Sequence, residues 1–251
     1  MPRAIDIVIP VYNEGEAFLR TLDALSRHVR TPVRILVCYD HDGDTTLKAI
    51  REHGSAGLEV IPVKNEGKGA HGAVLSGLKR SQSEHVLVYM ADDDYNAGIL
   101  DSMFSAGTAG ADVVCASRFM KGGRMVGCPW LKAVLVRCAS LTLRHLARVP
   151  VHDATNGLRL FSQRLLTRVQ IDSTAGFTYS IELLAKCHRL GWKIVEVPAQ
   201  WFERTSGVSR FRVVKWIPAY LRWYFYFFAT SYLRFGPARV ARPNAVATSE
   251  R

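Results

Sequence analysis

The sequence predicts an α/β protein built on a doubly wound parallel sheet flanked by helices. Short apolar runs rich in β-branched residues recur between residues 4 and 118, and a helical pattern follows nearly every one of them. Strands and helices that alternate in this way close into a parallel sheet with helices on both faces. The runs also end in acidic, polar or glycine-rich turns, and open α/β sheets bind ligands just beyond the carboxyl ends of their strands.

The first run, Ala4 to Pro10, reads as a buried strand and is followed by the polar turn Tyr12-Asn13-Glu14-Gly15. Phe18, Leu22 and Leu25 then mark one face of a helix. Val33 to Tyr39 is the second strand and ends in Asp40-His41-Asp42-Gly43-Asp44-Thr45-Thr46, a cluster that either caps the next helix or holds a polar ligand. Leu58 to Val63 is a shorter third strand. Gly67-Lys68-Gly69-Ala70-His71-Gly72-Ala73 opens the helix that follows. Glycines there let backbone N–H groups approach an anion at a helix N-terminus, and Lys68 adds a positive charge. The spacing is not that of a GxxxxGK[ST] phosphate loop.

The fourth strand carries the most informative residues, His85 to Asn96 (HVLVYMADDDYN). Its apolar run, Val86 to Met90, ends in Asp92, Asp93 and Asp94. Adjacent carboxylates repel one another unless a cation lies among them, and hard divalent ions prefer oxygen ligands. The same residues would also serve as an acidic cap for the helix expected from Gly98 to Ala109. Asp112 to Ser117 is the fifth strand.

Beyond Arg118-Phe119-Met120-Lys121-Gly122-Gly123 the pattern changes. Pro129 to Val149 reads as a long amphipathic helix, with Arg137, Arg144 and Arg148 within about 40° of one another on the helical wheel. Leu131, Val134, Leu135, Cys138, Leu141, Thr142 and Leu146 lie opposite, on the side expected to pack on the core. His152 to Phe161 is a polar loop entering a short strand, Gly176 to Leu190 a helix bearing Glu182, and Lys193 to Phe202 a last strand bearing Glu196. Glu203 to Arg210 combines cations and hydroxyls in a composition suited to a phosphate-gripping lid. From Phe211 to Phe235 the chain holds 11 of its 25 aromatic residues, the pattern of an interfacial helix or of a C-terminal helix packed on the sheet or in a homodimer.

Bulk properties narrow the class. The net charge of +11 calls for an anionic partner, while no nucleic-acid-binding motif is present. The first turn lacks GxGxxG, against a dinucleotide enzyme. Five scattered cysteines without CxxC spacing point away from a zinc site or a disulfide framework. No signal-peptide pattern is seen at the N-terminus, and no apolar run reaches the roughly 20 residues needed to span a bilayer.

Taken in order, Pro10-Val11-Tyr12-Asn13-Glu14, the acidic end of strand two, Gly67-Lys68-Gly69 and the acidic end of strand four resemble the family 2 glycosyltransferases. Ser117-Arg118 with Gly122-Gly123, Asp153 with Asn156-Gly157-Leu158-Arg159, Glu182, and Arg204 through Arg210 resemble the dolichol-phosphate mannose synthase-like, polyprenyl-phosphate branch. The resemblance covers about residues 4 to 235 and implies the GT-A nucleotide-diphospho-sugar transferase fold, a doubly wound mixed sheet flanked by helices. The domain organisation expected is a catalytic domain over 1–210 and an aromatic segment of amphipathic helices over 211–236, while a composition dominated by Pro, Ala, Ser and Arg marks 237–251 as a disordered tail.

The resemblance further implies that Pro10, Tyr12, Asn13 and Glu14 line a nucleoside pocket reached by Asp40, with Lys68 bordering the same nucleotide. A DxD motif would bind Mg²⁺ or Mn²⁺ and the sugar diphosphate. Asp92-x-Asp94 keeps both carboxylates; a gapless register instead sets Met90 and Asp92 in the two motif positions. Asp92 is a metal ligand in either register, while Asp93 and Asp94 compete for second place. Arg118 joins the nucleotide-sugar site, and Arg204, Ser209 and Arg210 match a basic closing loop, Arg210 standing where Lys is usual. Asp92, Asp94, Asp153 and Arg204 form the catalytic set, with Asp153 acting as base or as orienting group.

The expected reaction is metal-dependent, inverting transfer from a GDP- or UDP-linked sugar to a polyprenyl-type lipid phosphate at the cytoplasmic face of the membrane. Peripheral membrane contact and no nucleic acid are expected, with a second copy of the chain or an integral-membrane accessory subunit as further partner. The alternative is transfer to a saccharide or small-molecule hydroxyl in surface-polysaccharide synthesis, which needs a carboxylate base, Asp153 or Glu182. A non-catalytic nucleotide-sugar binding protein is the third reading. A nucleotidyltransferase would need a GxGxR-type opening loop that the chain lacks.

Overall fold

The computed structural model describes residues 5–203, 213–233 and 240. The Ile5–Pro10 strand (β1) pairs in parallel with Val33–Tyr39 (β2), which pairs with Glu59–Lys64 (β3). On its other side β1 pairs with His85–Val88 (β4). Helices Ala17–His28 (α1), Thr45–His53 (α2) and Gly69–Arg80 (α3) connect these strands. Leu100–Thr108 (α4) leads to Val113–Ser117 (β5).

The sheet is mixed. Arg159–Ser162 (β7) runs antiparallel between β4 and β5, and Ile194–Pro198 (β8) pairs in parallel with β5, giving the order β3-β2-β1-β4-β7-β5-β8. The alternation over residues 4 to 118 yields strands that all run in parallel, and the mixed sheet implied by the family resemblance arises where β7 inserts between β4 and β5. The last strand also divides: Gln200–Phe202 (β9) leaves the main sheet to pair with Arg124–Val126 (β6).

Residues alternate between the two faces, and each face is covered, as buried strands require. Ile7, Ile9, Val37, Leu87 and Val114 share a core with Phe18, Leu22 and Leu25 of α1 and Phe104 of α4. Val8, Cys38, Val88, Cys115 and Phe161 share the other with α3 and with Thr178–Leu190 (α7). At the amino edge of the sheet, buried Asp6 accepts hydrogen bonds from Arg34 Nε (2.8 Å), Ser81 Oγ (2.6 Å) and Gln82 N (3.0 Å). Burial works against that carboxylate, but the Arg34 guanidinium and the other donors outweigh it and hold its pKa below the ordinary value.

Two helices complete the fold. Trp130–His145 (α5) turns inward through Ser140 and Leu143, while Leu131, Leu135 and Leu141 are more than half exposed at 55%, 57% and 55%. The apolar stripe expected to face the core therefore faces outward. Gln163–Arg168 (α6) follows β7.

The aromatic segment forms one helix, Val213–Tyr232 (α8). Trp223 and Phe227 are buried in the core against α7, Arg189 donates to Thr230 Oγ1 (2.8 Å), and Tyr224 OH donates to Thr142 Oγ1 (2.7 Å). Phe225, on the opposite side, is 62% exposed. Thus α8 is amphipathic and docked. Among the described residues no helix is long and apolar enough to cross a membrane.

Candidate active site

The parallel strands deliver their carboxyl ends, and the turns that follow, to one edge of the sheet. After β1 the chain turns through Asn13, which adopts φ +54°, a left-handed conformation that asparagine tolerates. Its backbone N–H donates to Asp44 Oδ2 (3.0 Å), its side chain accepts from Thr45 N (3.2 Å), and Glu14 N donates to Thr46 Oγ1 (3.0 Å). Asp44 is fully buried and caps α2 through Thr46 N (2.8 Å). The turn is thereby clamped to a helix N-terminus, leaving Tyr12 and Asn13 exposed beside Pro10. Tyr12 meets His41 edge-on at 5.8 Å.

At the end of β2, Asp40 Oδ1 accepts from Asn65 Nδ2 (2.6 Å). Asn65 Nδ2 also donates to Gly69 O (3.1 Å), and its oxygen accepts from Gly67 N (2.8 Å). One side chain therefore ties Asp40 to the glycine loop that carries exposed Lys68. The loop closes so tightly that a Cβ at Gly72 would lie 2.7 Å from Asn65 Oδ1 and 2.9 Å from the Gly67 backbone.

The acidic turn sorts its carboxylates by burial. Tyr89 N still donates to Val8 O (2.9 Å), but the chain leaves the sheet there, so Tyr89 and Met90 lie beyond the end of β4. Asp93 is buried and accepts from Asn96 N (2.9 Å) and Asn96 Nδ2 (2.8 Å). Asn96 in turn exchanges hydrogen bonds with the Gln200 backbone at 2.9 Å each way. Burial pushes the Asp93 carboxyl up to about 6, the Asn96 hydrogen bonds oppose that rise, and the neighbouring Asp92 charge adds to it. Asp92 and Asp94 are exposed, with Arg20 Nε 3.7 Å from Asp94.

At the end of β5, Arg118 is locked onto Asp153, a fully buried carboxylate. Its Nε donates to Oδ2 (2.6 Å), Nη2 to Oδ1 (3.0 Å) and the backbone N–H to Oδ2 (3.1 Å). Thr155 and Asn156 donate to the same carboxylate. Burial opposes ionisation of Asp153, but the Arg118 charge and this set of donors hold its pKa below the usual carboxylate range. Glu196 supports the arrangement from β8, accepting from Asp153 N (3.0 Å) and lying 2.7 Å from His152 Nδ1. The turn after Arg118 needs glycine: a Cβ at Gly123 would approach Ser117 O to 2.4 Å.

Glu182, a carboxylate considered as a base, is fully buried in α7. It accepts from Asp172 N (2.6 Å), Ser173 N (2.8 Å) and Lys186 Nζ (2.6 Å), so it braces a loop instead of facing a substrate. Arg204, Ser209 and Arg210, the expected closing loop, lie outside the described residues. Asn65 and Asn96, single asparagines in loops, hold the site together without any sequence signal beyond their proximity to the glycine and acidic turns.

Among the described residues no group of three or more His, Cys, Asp or Glu side chains is arranged to hold a metal by itself. Asp92 and Asp94 supply two exposed carboxylates, and Mg²⁺ is commonly bound by one or two carboxylates completed by substrate phosphates and water. The donor set suits a cation shared with a phosphorylated ligand.

Comparison with known proteins places this geometry. The model of the family "Glycosyl transferase family 2" matches residues 6–169. Polyprenol monophosphomannose synthase of Mycolicibacterium smegmatis is 31% identical over 229 residues, covering 84% of this chain and 85% of that protein. Undecaprenyl-phosphate mannosyltransferase of Micrococcus luteus is 28% identical over 209 residues, covering 81% and 85%. A crystal structure of glucosyl-3-phosphoglycerate synthase from Mycobacterium tuberculosis with Mn²⁺, UDP-glucose and phosphoglyceric acid superposes with a TM-score of 0.64 at 19% identity, covering 90% of this chain and 80% of that one. The same enzyme with Mg²⁺ and UDP gives 0.62 at 18%, covering 91% and 79%. The fold is GT-A-like.

These neighbours correct the lipid-phosphate acceptor, and the lipid partner that went with it, expected from the sequence. Solved structures of glucosyl-3-phosphoglycerate synthase hold phosphoglyceric acid, a small phosphorylated carboxylic acid, together with UDP or UDP-glucose. No described helix is long and apolar enough to anchor the chain across a bilayer.

Proposed function

The chain belongs to glycosyl transferase family 2, and we propose that it moves a sugar from a nucleotide sugar to a hydroxyl of a small anionic molecule, with Mg²⁺ or Mn²⁺ as cofactor. The observation that carries this reading is the pair of exposed carboxylates, Asp92 and Asp94, after β4, at the same edge of the sheet as Tyr12 after β1 and Asp40 after β2, which Asn65 ties to the Lys68 loop. UDP-linked donors have the most direct support, because the similar structures hold UDP or UDP-glucose.

Each residue's part follows from its environment. Pro10, Tyr12, Asn13 and Glu14 receive the nucleoside, with Asp40 fixed by Asn65 for contact with base or ribose. Lys68 and the amino end of α3 attract the diphosphate. Asp92 and Asp94 would hold the divalent cation, which would supply neutralisation of the charge developing on the leaving diphosphate. Asp93 fixes the turn through Asn96. Arg118 supplies a second, pre-oriented positive charge, since Asp153 leaves its guanidinium one geometry. Asp153 acts as a positioning residue, because its oxygens are already occupied by donors, and Glu182 is likewise committed, so the proton of the acceptor hydroxyl passes to water or to the acceptor's own anionic group. Arg204, Ser209 and Arg210 lie outside the described residues; their cations and hydroxyl suit phosphate binding by composition.

The test is turnover by the full-length chain with Mn²⁺, a panel of UDP- and GDP-sugars, and three acceptor classes: phosphoglyceric acid and related small hydroxy acids, free saccharides, and polyprenyl phosphate. Transfer to a small hydroxyl acceptor is the expected result. Transfer to polyprenyl phosphate alone, the acceptor in the names of the sequence relatives, overturns the reading.

A further inference from the structure

Arg159 opens β7 and is fully buried. Its Nη1 donates to the carbonyl and the hydroxyl of Ser180, and its Nη2 to the carbonyl of Ala154 (2.6 Å). All of these partners are uncharged. Among the described residues no carboxylate forms an ion pair with this guanidinium, and Nε has no hydrogen-bond partner. Asp153, the carboxylate nearest in sequence, is committed to Arg118. Cys115 faces Arg159 in the β5–β7 register, but burial pushes its thiol up to about 11, so it stays neutral. A buried cation without a counter-charge is costly, and proteins retain one where an anion arrives.

Two more unpaired polar atoms lie in the same region. His71 Nε2 and Tyr179 OH are buried without hydrogen-bond partners. His71 occupies the first turn of α3, and its Nδ1 lies 3.1 Å from Gly176 O, at the entrance to α7. Its ring centroid is 6.0 Å from that of Tyr179, the second residue of α7 and the neighbour of Ser180. Tyr179, Arg159 and Tyr220 of α8 influence one another electrostatically, and burial pushes both tyrosines above their ordinary range, so both remain O–H donors. The N-termini of α3 and α7, each more than three turns long, thus meet beside an uncompensated guanidinium.

The cluster sits behind the acidic turn. Arg159 pairs with Val88, the last residue of β4, and a Cβ at Gly157 would lie 3.3 Å from Met90 Cε. His71 is buried, and the exposed residues Lys68 and Gly69 precede it at the amino end of α3.

We propose that Arg159, His71 and Tyr179 form a binding site for the phosphate or carboxylate group of the acceptor. The identity of the ligand rests on the small anionic acceptor assigned above; the anion site itself rests on the buried cation and the unpaired donors. Arg159 Nε and Tyr179 OH donate to the anion, and His71, its Nδ1 turned to Gly176 O, borders the site and can accept from a protonated oxygen of the ligand.

The experiment titrates inorganic phosphate, then phosphoglyceric acid, into the full-length protein by calorimetry. Mn²⁺ and a nucleoside diphosphate are kept saturating so that the donor's phosphate positions are filled. Tyr179→Phe removes one oxygen from the core and should fold; Arg159→Met also removes the hydrogen bonds to Ser180 and Ala154, so its fold is checked by circular dichroism and Tyr179→Phe carries the test if it does not fold. Loss of one hydrogen bond to a charged group predicts phosphate binding about tenfold weaker in Tyr179→Phe, and weaker still in Arg159→Met. The KM for phosphoglyceric acid should rise in parallel while the KM for the nucleotide sugar stays unmoved. Should no small acceptor be turned over while the variants still lose phosphate, the anion site stands and the acceptor assignment falls. Phosphate affinity equal in wild type and both variants, or no binding in the wild type, overturns the site and leaves the cluster to ordered water.

Discussion

Asp153 holds Arg118 by both carboxylate oxygens, at 2.6 and 3.0 Å, with neither partner appreciably exposed to solvent. Removing one member of such a pair strands the other, and Arg118→Met is expected to cost ~3–5 kcal/mol of stability. Because the Asp153 pKa is depressed in the folded protein, its contribution is present above the unfolded carboxylate range and is lost as pH falls through the folded value. Thermal unfolding as a function of pH checks both effects. The variant should lose the acid-side decline that this pair contributes, and equal melting temperatures at neutral pH would contradict the pairing.

Asp92 and Asp94 are exposed, so replacing either should leave the fold intact and remove activity. Asp92→Asn is expected to lower kcat/KM on the order of 10²-fold or more, the scale of several kcal/mol of charge stabilisation. Initial rates over a Mn²⁺ titration, with circular dichroism as the control, test this. Full activity in Asp92→Asn would place the cation elsewhere.

Asp93 behaves in the opposite sense. Its pKa is raised to about 6 by burial, so folding favours the protonated form and the associated stability is lost as pH rises through that value. Asp93→Asn removes this dependence. The difference in melting temperature, wild type minus variant, should fall between about pH 4 and 6 and then level off. A flat difference across that window would rule out a buried, titrating Asp93.

Asn65 joins Asp40 to the glycine loop through three hydrogen bonds. Asn65→Ala should weaken nucleoside diphosphate binding by about five- to tenfold, the equivalent of roughly one hydrogen bond of net free energy. Calorimetry measures this directly, and unchanged affinity would show that the loop holds its shape without the link.

The two sides of α8 should respond differently. Trp223→Ala, in the core against α7, is expected to cost ~3–5 kcal/mol. Phe225→Ala, on the exposed side, should change stability within about ±0.5 kcal/mol. Chemical denaturation of the two variants separates a docked helix from one lying free of the domain.

Much of this arrangement was legible from residue pattern. β1 to β5 appear as apolar runs because a strand covered on both faces has little choice of residue. The short β7 was harder to place: four residues that include a buried arginine carry no periodicity, and strand direction leaves no local trace. The outward turn of the α5 stripe had a related cause. An amphipathic pattern shows that a face prefers apolar surroundings, and the helix instead packs through Ser140 and Leu143. Three consecutive aspartates are chemically identical on paper; burial of Asp93 by Asn96 and the Gln200 backbone distinguishes it from its neighbours. Asp153 was legible as a site residue, but its role was not, since that depends on which donors surround it in space.

The antiparallel wedge has a consequence for biosynthesis. β4 and β5 are separated in the finished sheet by a strand made more than 40 residues after Ser117. A nascent chain that has emerged only through β5 carries two strands with unpaired edges facing a gap of one strand's width. Edges of that kind template intermolecular pairing. Between synthesis of residues 117 and 162 that gap stays open, and the far edge of β5 waits for β8 at residues 194–198, so a chaperone would have strand edges to shield throughout.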